Sequence, residues 1–287
     1  MTSSSAQLES IVSDEEFAKF CEFFYRKTGI MFEAKKKYFA ERRIADRMRK
    51  TGCATFHEYF STVRFEASGR EMQSLVNHMT VNETYFFRED YQLKALVEGI
   101  LPDLAARQPA GKPIRIWSVP CSSGEEPYSL AIYILEHWAA ADRYDIEILA
   151  SDIDSAILTE AAAGVYGERS LQRLSPDLIR KYFTSVKGGE YRISSDLRSS
   201  IDFFQGNVMD PRFMRAFRGI DVIFCRNMLI YFDDKSRRET IEAMYDCMSP
   251  GAYICLGHSE SMSRISALFR PKKFGDVIIY QKPIEPK

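Results

Sequence analysis

Hydrophobic and polar residues follow two different spacings along the chain, and the change falls near residue 110. Upstream, apolar residues recur every three or four positions, which is typical of the buried face of a helix. Downstream, short apolar runs alternate with helical segments, an order that generates parallel βαβ units. The pattern therefore predicts a small all-α N-terminal domain followed by an α/β domain.

Two capping boxes mark helix starts in the N-terminal part, Ser13 with Glu16 and Thr55 with Glu58. In such a box each partner's side chain accepts a backbone N–H of the other, so the first turn is satisfied locally. Helices are expected at about residues 13–29, 33–52, from 55 onward and 68–79. Together they predict a small helical domain.

Five strongly apolar strands and the helices between them predict the α/β domain. The strands are expected at 114–119, 146–150, 220–225, 253–256 and 277–281, and helices at about 91–104, 127–139 and 235–248, with another starting at Ser175. Extended stretches around the Lys187–Glu190 turn are typical of an inserted antiparallel hairpin. The expected segments are a flexible tail at 1–12, the helical domain at 13–80, a linker at 81–91, and the α/β domain at 92–287 with a β-subdomain inserted at about 183–205.

The turn after the first strand, Cys121-Ser122-Ser123-Gly124, consists of small residues and leads into a helix that Pro127 is expected to start. Small side chains let a ligand lie close to the backbone. The turn matches neither the dinucleotide fingerprint nor the phosphate loop, since it holds one glycine and no lysine. Glu125 and Glu126 at its mouth would repel phosphates and suit an amine, a sulfonium or hydroxyls. An ordinary strand-to-helix turn explains the pattern equally well.

Polar residues also stand where two later strands end. Asp152 and Asp154 follow the second strand, and Arg226 and Asn227 follow the strand at 220–225. Ligands of open parallel sheets bind at the carboxyl ends of the strands. A carboxylate there can bind a ribose diol, but aspartate is also a favoured helix N-cap. Asp152 as the ribose ligand and Asp154 as the cap would satisfy both interpretations.

Composition narrows the range of functions. The 287 residues carry a formal net charge of −1, which gives no general case for binding nucleic acid or a membrane surface. No apolar run approaches the ~20 residues of a membrane span, and the N-terminus has no secretion-signal pattern. The six cysteines are scattered, which favours free thiols in a reducing cytoplasm. The four histidines show no metal-ligand spacing, so no metal site is expected.

The second predicted helix has a concentrated positive face. Lys36, Arg43, Arg47 and Lys50 fall on one stripe at 100° per residue, opposite an apolar side around Ile44. Such a stripe is either a solvated helix face or a docking surface for an acidic partner. The sequence alone leaves open whether that partner is protein or nucleic acid.

Five segments resemble, in order and spacing, the CheR-type chemotaxis receptor methyltransferases. They are Asn82-x-Thr84-x-Phe86-Phe87-Arg88, Ser123-Gly124-Glu125-Glu126-Pro127-Tyr128-Ser129, Ala150-Ser151-Asp152-Ile153-Asp154, Phe224-Cys225-Arg226-Asn227-x-x-Ile230-Tyr231-Phe232 and Gly257-His258-Ser259-Glu260. Each is weak alone, but together they are specific. The resemblance extends over about residues 14–282.

The resemblance implies a Rossmann-like class I methyltransferase domain with an inserted antiparallel β-subdomain. It implies S-adenosylmethionine as the methyl donor, which leaves as S-adenosylhomocysteine, with the linker at 81–91 contributing to its site. The residues that it assigns to cofactor contacts are Asn82, Thr84, Arg88, Glu125, Asp152, Asn207, Val208, Arg226 and Asn227. It places Arg88 and Tyr231 beside the transferred methyl group as catalytic residues. It assigns docking on the receptor to Arg43, Arg47 and Arg49.

The activity that the resemblance implies is methylation of glutamates in the cytoplasmic helical domain of chemoreceptors. The enzyme is then expected to be cytoplasmic and monomeric, with no membrane insertion. Glutamate is already ionised at pH 7, so the transfer needs no strong general base. Two alternatives stay open: a methyltransferase for another acceptor such as RNA, or a non-catalytic adaptor that binds S-adenosylmethionine. The near-neutral charge counts against RNA, and the presence of Arg88 and Tyr231 counts against an adaptor.

Overall fold

The computed structural model describes residues 11–32, 36–107, 109 and 111–284, and the chain divides after Thr80 into two compact units. The predicted tail at 1–12 lies outside the described residues except for Ile11 and Val12. Val12 is fully buried. It therefore belongs to the packed part of the first unit and not to a tail.

In its described part, the first unit forms four helices. They are α1 (Asp14–Thr28), α2 (Lys37–Thr51), α3 (Phe56–Phe65) and α4 (Arg70–Met79). Both predicted capping residues, Ser13 and Thr55, accept a backbone N–H three residues further on. Gly29 ends α1 in the left-handed conformation, with φ 75°. The predicted start of the second helix, at Glu33, lies outside the described residues.

Aromatic side chains fill the core of this unit. Phe20 is fully buried, and its ring centroid lies 5.7 Å from that of Phe24 and 6.4 Å from that of Phe56. Ile44 and Met48 bury the apolar face of α2, as its periodicity predicts. Burial of these large side chains holds helices that would be marginal alone.

Ten strands in the described part of the second unit form two sheets. They are β1 (Ile114–Ser118), β2 (Ile146–Asp152), β3 (Val165–Tyr166), β4 (Phe183–Ser185), β5 (Tyr191–Ile193), β6 (Ile201–Gln205), β7 (Ile220–Cys225), β8 (Met248–Leu256), β9 (Arg270–Phe274) and β10 (Val277–Gln281). The large sheet has the order β6-β2-β1-β7-β8-β10-β9, and only β10 runs antiparallel to its neighbours. Every residue of β7 is buried, as expected for a central parallel strand.

Helices connect these strands, which confirms the predicted Rossmann-like α/β fold. They are α5 (Asp90–Ala95), α6 (Leu101–Arg107), α7 (Glu125–His137), α8 (Ser155–Ala163), α9 (Glu168–Leu171), α10 (Pro176–Tyr182), α11 (Ser195–Ser199), α12 (Pro211–Arg215) and α13 (Asp234–Cys247). A π-helical turn, Leu96–Ile100, joins α5 to α6. Across residues 11–32, 36–107 and 111–284, no helix has both the length and the hydropathy to cross a membrane.

The small antiparallel sheet has the order β3-β5-β4, and its membership differs from our prediction. We predicted that the stretch at 200–205 belongs to the inserted β-subdomain at about 183–205. Instead, β6 pairs in parallel with β2, and β3 supplies the third strand of the small sheet. The hydrophobic pattern of a short strand does not identify its partner, which depends on tertiary packing.

Helix α7 begins two residues before Pro127, where we had placed its start. Gly124 takes φ 93° at the N-cap, so Glu125 is already helical. Glu125 and Glu126 therefore both occupy the first turn, where a carboxylate is favoured by the helix dipole. Strand β9 was not predicted, because its sequence, Arg-Pro-Lys-Lys-Phe, is mostly polar.

Candidate functional site

The turn after β1 is hydrogen-bonded to the end of β2, at the edge of the sheet where we predicted a ligand to bind. The N–H of Cys121 donates to the Ser151 carbonyl at 2.9 Å, and the N–H of Ser122 donates to Asp152 Oδ2 at 2.9 Å. The backbone of Gly206, after β6, donates to the Asp152 carbonyl at 2.9 Å. The carboxyl ends of β1, β2 and β6 therefore meet around Asp152.

Asp152 is a buried carboxylate with a fixed orientation. Its Oδ1 accepts the N–H of Asp154 at 2.9 Å, while Oδ2 accepts that of Ser122. Burial raises the pKa of Asp152 to about 6, although these backbone N–H groups favour the ionised form. A carboxylate offers about four acceptor positions, so Asp152 suits hydroxyl donors of a ligand.

Asp154 is the helix cap that the sequence predicted. Its Oδ1 accepts the N–H groups of Ala156 and Ile157 at the start of α8. Its Oδ2 accepts a hydrogen bond from Asn82 Nδ2 at 2.9 Å. Asn82, predicted as a cofactor contact, is thereby anchored beside Asp152, and its own carbonyl accepts from the Ser122 hydroxyl at 3.3 Å.

Glu125 lies in the first turn of α7 and is 2% exposed. Its oxygens accept hydrogen bonds from the hydroxyls of Ser123, at 2.6 Å, and Ser170, at 2.9 Å. Burial raises the pKa of Glu125, since these neutral hydroxyls only partly replace water. Glu125 is thus a second oriented carboxylate near the small-residue turn.

Arg226 is buried at the end of β7 among acidic partners. Its Nη1 lies 2.8 Å from Glu126 Oε2, and its Nη2 lies 3.2 Å from Glu89 Oε2. Nη2 also donates to the Arg88 carbonyl at 2.7 Å. Burial disfavours the charged guanidinium, but Glu126 and Glu89 outweigh it and hold the pKa of Arg226 above its ordinary value. Its buried Nε has no hydrogen-bond partner among the described residues.

The linker at 81–91 packs into the second unit with a strained backbone. Phe87 and Glu89 take φ values of 57° and 54°, which are unfavourable for residues with a Cβ. Phe86 is fully buried against Tyr166 and Phe183, with centroids 4.9 and 5.3 Å away. Phe86 is therefore a core residue and not a wall of the ligand site.

The two predicted catalytic residues are connected through Arg226. The Arg88 guanidinium lies over the Tyr85 ring at 5.8 Å and donates to the Glu83 carbonyl at 2.7 Å. The backbone carbonyl of Arg88 accepts a hydrogen bond from Arg226. Tyr231 follows Arg226 in the same loop, at the end of the short 3₁₀ turn Leu229–Tyr231. Both side chains are half-buried.

The remaining predicted contacts lie at the same edge of the sheet. Asn207 Oδ1 accepts the N–H of Met209 at 2.9 Å, which shapes the turn after β6, and Val208 is buried in it. Asn227 takes φ 58° immediately after Arg226. Thr84 is half-buried in the linker. The structure thus brings the predicted cofactor residues to strand ends and to the linker that packs on them.

The predicted positive stripe on α2 is only partly exposed. Arg47 Nη2 lies 2.6 Å from Glu71 Oε2, and the side chain of Arg47 is 15% exposed. Arg43 donates to the Met79 carbonyl at 2.8 Å. Our prediction that Arg47 faces outward was wrong, because helical periodicity cannot reveal an acidic partner on another helix. Arg49 is exposed and pairs with Asp46.

Two carboxylates at this edge were missed as functional, Glu89 and Glu260, and Glu126 was predicted to face the ligand but instead pairs with Arg226. Glu126 and Glu260 stand in segments that carry the resemblance, and Glu89 directly follows one. Glu89 and Glu126 pair with Arg226, which stands in another of these segments, so only their position in or directly beside the resembling segments could have indicated them. Among the described residues, no group of acidic, histidine and cysteine side chains could hold a metal ion.

Comparison with known proteins identifies the family. The protein-family model "CheR methyltransferase, SAM binding domain" matches residues 82–277, and the family model "CheR methyltransferase, all-alpha domain" matches residues 15–80. The chain belongs to the CheR methyltransferase family. It is 48% identical to "Chemotaxis protein methyltransferase 2" of Vibrio cholerae over 97% of this chain and 96% of that relative. It is 36% identical to "Chemotaxis protein methyltransferase 2" of Pseudomonas aeruginosa over 89% and 90% of the two chains.

The family match confirms the predicted resemblance and the predicted cofactor, S-adenosylmethionine. The residues at the strand ends fit that molecule. Asp152 and Glu125 are oriented acceptors for hydroxyls and an amine, and the buried Arg226 Nε is a donor without a hydrogen-bond partner among the described residues. The small-residue turn has no lysine for a phosphate, which agrees with a nucleoside that carries a sulfonium in place of phosphates.

Proposed function

We propose that this enzyme transfers a methyl group from S-adenosylmethionine to glutamate side chains in the cytoplasmic helical domain of chemoreceptors, and so forms glutamate methyl esters. The observation that carries the proposal is the family match over both units, to relatives named chemotaxis protein methyltransferases. We further propose that the enzyme acts in the cytoplasm as a monomer.

The cofactor residues that we propose are those of the strand ends and the linker. Asp152 accepts hydrogen bonds from the ribose hydroxyls, and Glu125 accepts a hydrogen bond from an amine of the cofactor. Bound S-adenosylmethionine supplies an electrophilic methyl group on a sulfonium. The other proposed contacts are Asn82, Thr84, Arg88, Asn207, Val208, Arg226 and Asn227. In this assignment, Asp154 orients Asn82, and Glu126 with Glu89 orients Arg226.

The proposed catalytic residues position groups and do not move protons. The acceptor glutamate is already ionised at pH 7, so no side chain has to remove a proton from it. Arg88 attracts and orients this carboxylate, and the Tyr231 hydroxyl donates a hydrogen bond to it. Holding two reactants in line can contribute ~7–11 kcal/mol to the lowering of a barrier.

Docking on the receptor is proposed to use the exposed part of α2. Arg49 is exposed, and its neighbours on that surface include the exposed Arg42 and Lys50. Arg43 and Arg47 belong to the proposed docking set, but their hydrogen bonds to Met79 and Glu71 fix the shape of the surface. Exposed charges attract an acidic partner at long range and are screened by salt.

The experiment that tests the activity is methyl transfer from radiolabelled S-adenosylmethionine to purified cytoplasmic fragments of chemoreceptors. We expect labelled receptor that loses its label as methanol in base, since carboxyl esters are base-labile and methylated amines are not. The Asp152→Ala variant should fail at sub-saturating cofactor. Label on RNA, or cofactor binding without any transfer, would favour one of the two alternatives.

Docking is tested by the double variant Arg42→Glu, Arg49→Glu. We expect receptor methylation to fall at least tenfold while cofactor affinity stays unchanged. The matched control is Lys19→Glu, Arg26→Glu on α1, where both cations are exposed and each pairs with a glutamate four residues away. Both double variants change the net charge by the same amount. Equal losses in the two would show a general charge effect and contradict docking through α2.

A further inference from the structure

The Glu260 carboxylate joins two loops at the carboxyl edge of the large sheet, one after β7 and one after β8. Its Oε2 accepts the N–H of Gly257 at 2.8 Å and that of Asn227 at 3.0 Å. Its Oε1 accepts the N–H of Ile230 at 3.3 Å. One side chain therefore holds both ends of the backbone segment between Asn227 and Ile230.

A carboxylate accepts the backbone N–H groups of this segment. Asn227 takes φ 58°, in the left-handed region that asparagine adopts more readily than other residues with a Cβ. Backbone N–H groups that converge on one point form an anion-binding concavity, and here the protein supplies the anion as Glu260. Burial raises the pKa of Glu260, while the N–H groups of Gly257 and Asn227 favour its ionised form.

Gly257 lets the two loops approach. A Cβ at this position would lie 2.9 Å from Asn227 Nδ2, 2.9 Å from Glu260 Oε2 and 3.0 Å from the backbone nitrogen of Asn227. Carbon atoms pack at ~3.5–4.0 Å from their neighbours, so a methyl group there would push the Asn227 backbone away. Gly257 therefore leaves room for the Asn227 backbone, and the Glu260 carboxylate bonds to that same backbone.

We propose that Glu260 is a positioning residue, which fixes the backbone from Asn227 to Tyr231 so that these two side chains meet the cofactor and the acceptor correctly. The inference rests on the proposed function, which assigns Asn227 to the cofactor and Tyr231 to the acceptor. Tyr231 follows Ile230 directly, and its N–H donates to the Met228 carbonyl at 3.1 Å. Movement of Ile230 therefore moves Tyr231, and a misplacement of ~1 Å can cost ~100-fold in rate.

Glu260→Gln tests the Tyr231 end of the segment. Glutamine has one acceptor oxygen, and placing it at the Oε2 position keeps the bonds to Gly257 and Asn227. Its NH₂ group then faces the N–H of Ile230, so that contact is lost. We expect kcat for receptor methylation to fall roughly 10- to 100-fold, with KM for S-adenosylmethionine and the melting temperature changed little.

Gly257→Ala tests the Asn227 end of the segment and has a readout that needs no acceptor. We expect the calorimetric Kd for S-adenosylmethionine to rise about tenfold, because the added methyl displaces a proposed cofactor residue. The matched control is Glu242→Gln on the exposed surface of α13, which makes the same chemical change as Glu260→Gln away from the loops. It should leave kcat, Kd and melting temperature unchanged.

The outcomes separate this inference from the proposed function. Wild-type enzyme that methylates no receptor fragment contradicts the proposed function. The calorimetric result for Gly257→Ala then still decides whether the contact of Gly257 and Glu260 with Asn227 positions the cofactor site. A Glu260→Gln enzyme with kcat within twofold of wild type overturns the inference, as does an unchanged Kd in folded Gly257→Ala. If Glu260→Gln does not fold, Gly257→Ala alone decides.

Discussion

Arg47 in the first unit and Arg226 in the second are both largely buried beside carboxylates, but their surroundings differ. Arg47 makes a bidentate contact with Glu71, at 3.0 and 2.6 Å, and the Tyr59 hydroxyl donates to the same carboxylate at 2.9 Å. Positive and negative charge balance there.

Arg226 contacts two carboxylates through single nitrogens, and its Nε has no hydrogen-bond partner among the described residues. The comparison teaches that a buried ion pair does not by itself locate a functional site. The Arg47 pair joins helices α2 and α4 of the first unit. The Arg226 group stands at the carboxyl edge of a parallel sheet, where ligands bind, and one of its donors is left over. The same chemistry therefore has a structural use in one unit and a proposed binding use in the other.

The largest effect is expected from Arg226→Ala. Removal of the guanidinium leaves Glu126 and Glu89 buried without their cation, which costs ~3–5 kcal/mol of unfolding free energy. We also expect the calorimetric affinity for S-adenosylmethionine to fall by at least tenfold. Denaturant unfolding and calorimetry would measure the two. A loss of stability with unchanged affinity would make this group equivalent to the Arg47 pair and would end the contrast.

Arg47→Ala should have a smaller effect on stability and none on cofactor binding. We expect a loss of roughly 2–3 kcal/mol of unfolding free energy, because only one carboxylate, Glu71, loses its cation and the Tyr59 hydroxyl still donates to it. Cofactor affinity should not change. A weakened Kd for S-adenosylmethionine in this variant would show that the first unit contributes to the cofactor site.

Asp152 should give cofactor binding a pH dependence in the acidic range. With a pKa of about 6, the free enzyme carries mostly protonated Asp152 at pH 5. If only the ionised form binds the ribose, the affinity should be about tenfold lower at pH 5 than at pH 7. Asp152→Ala should lose about 10- to 100-fold in affinity at pH 7 and show no such slope. An equal slope in wild type and variant would assign the titration to another group.

The same shift predicts how stability changes with pH. The folded pKa lies above the ordinary value of 3.8, so the folded state binds more protons than the unfolded state between about pH 4 and pH 6. Asp152 therefore lowers the unfolding free energy progressively as pH rises through that window. This decrease in unfolding free energy should be absent from Asp152→Ala. Unfolding curves of wild type and variant at pH 4.5 and 7 would measure it.

The smallest effects come from a matched pair of tyrosine variants. Tyr59→Phe removes a hydroxyl bonded to Glu71 and should cost about 1–2 kcal/mol of stability with normal kcat. Tyr231→Phe should leave stability and cofactor affinity nearly unchanged but lower kcat, since its hydrogen bond is expected to matter mainly in the transition state. Steep recovery of Tyr231→Phe activity between pH 7 and about 9 would indicate proton transfer and contradict the absence of a general base.

Local signals in the sequence predicted elements and strand ends well. Ser13, Thr55 and Asp154 were placed as helix caps because capping involves neighbours within three residues. Asp152 was placed as a site residue because it ends an apolar strand. Such features need only short-range geometry and the rule that parallel strands present their carboxyl ends together.

Partners distant in sequence could not be predicted in this way. Arg47 and Glu71 are 24 residues apart, and Arg226 lies 100 residues from Glu126. The partner of β6 and the role of Glu260 depend in the same way on which loops the fold brings together. Hydrophobic periodicity describes which face of an element is buried, but it does not specify the neighbour that covers that face.

The hairpin of β9 and β10 closes one side of the large sheet in a manner that discourages self-association. An outermost strand presents unpaired backbone groups to which another chain could add a strand. In β9, Pro271 has no N–H to offer, and Arg270, Lys272 and Lys273 are exposed beside it. An incoming strand would have to bury these cations. The polar composition that hid β9 from prediction is therefore also what protects the sheet from aggregation.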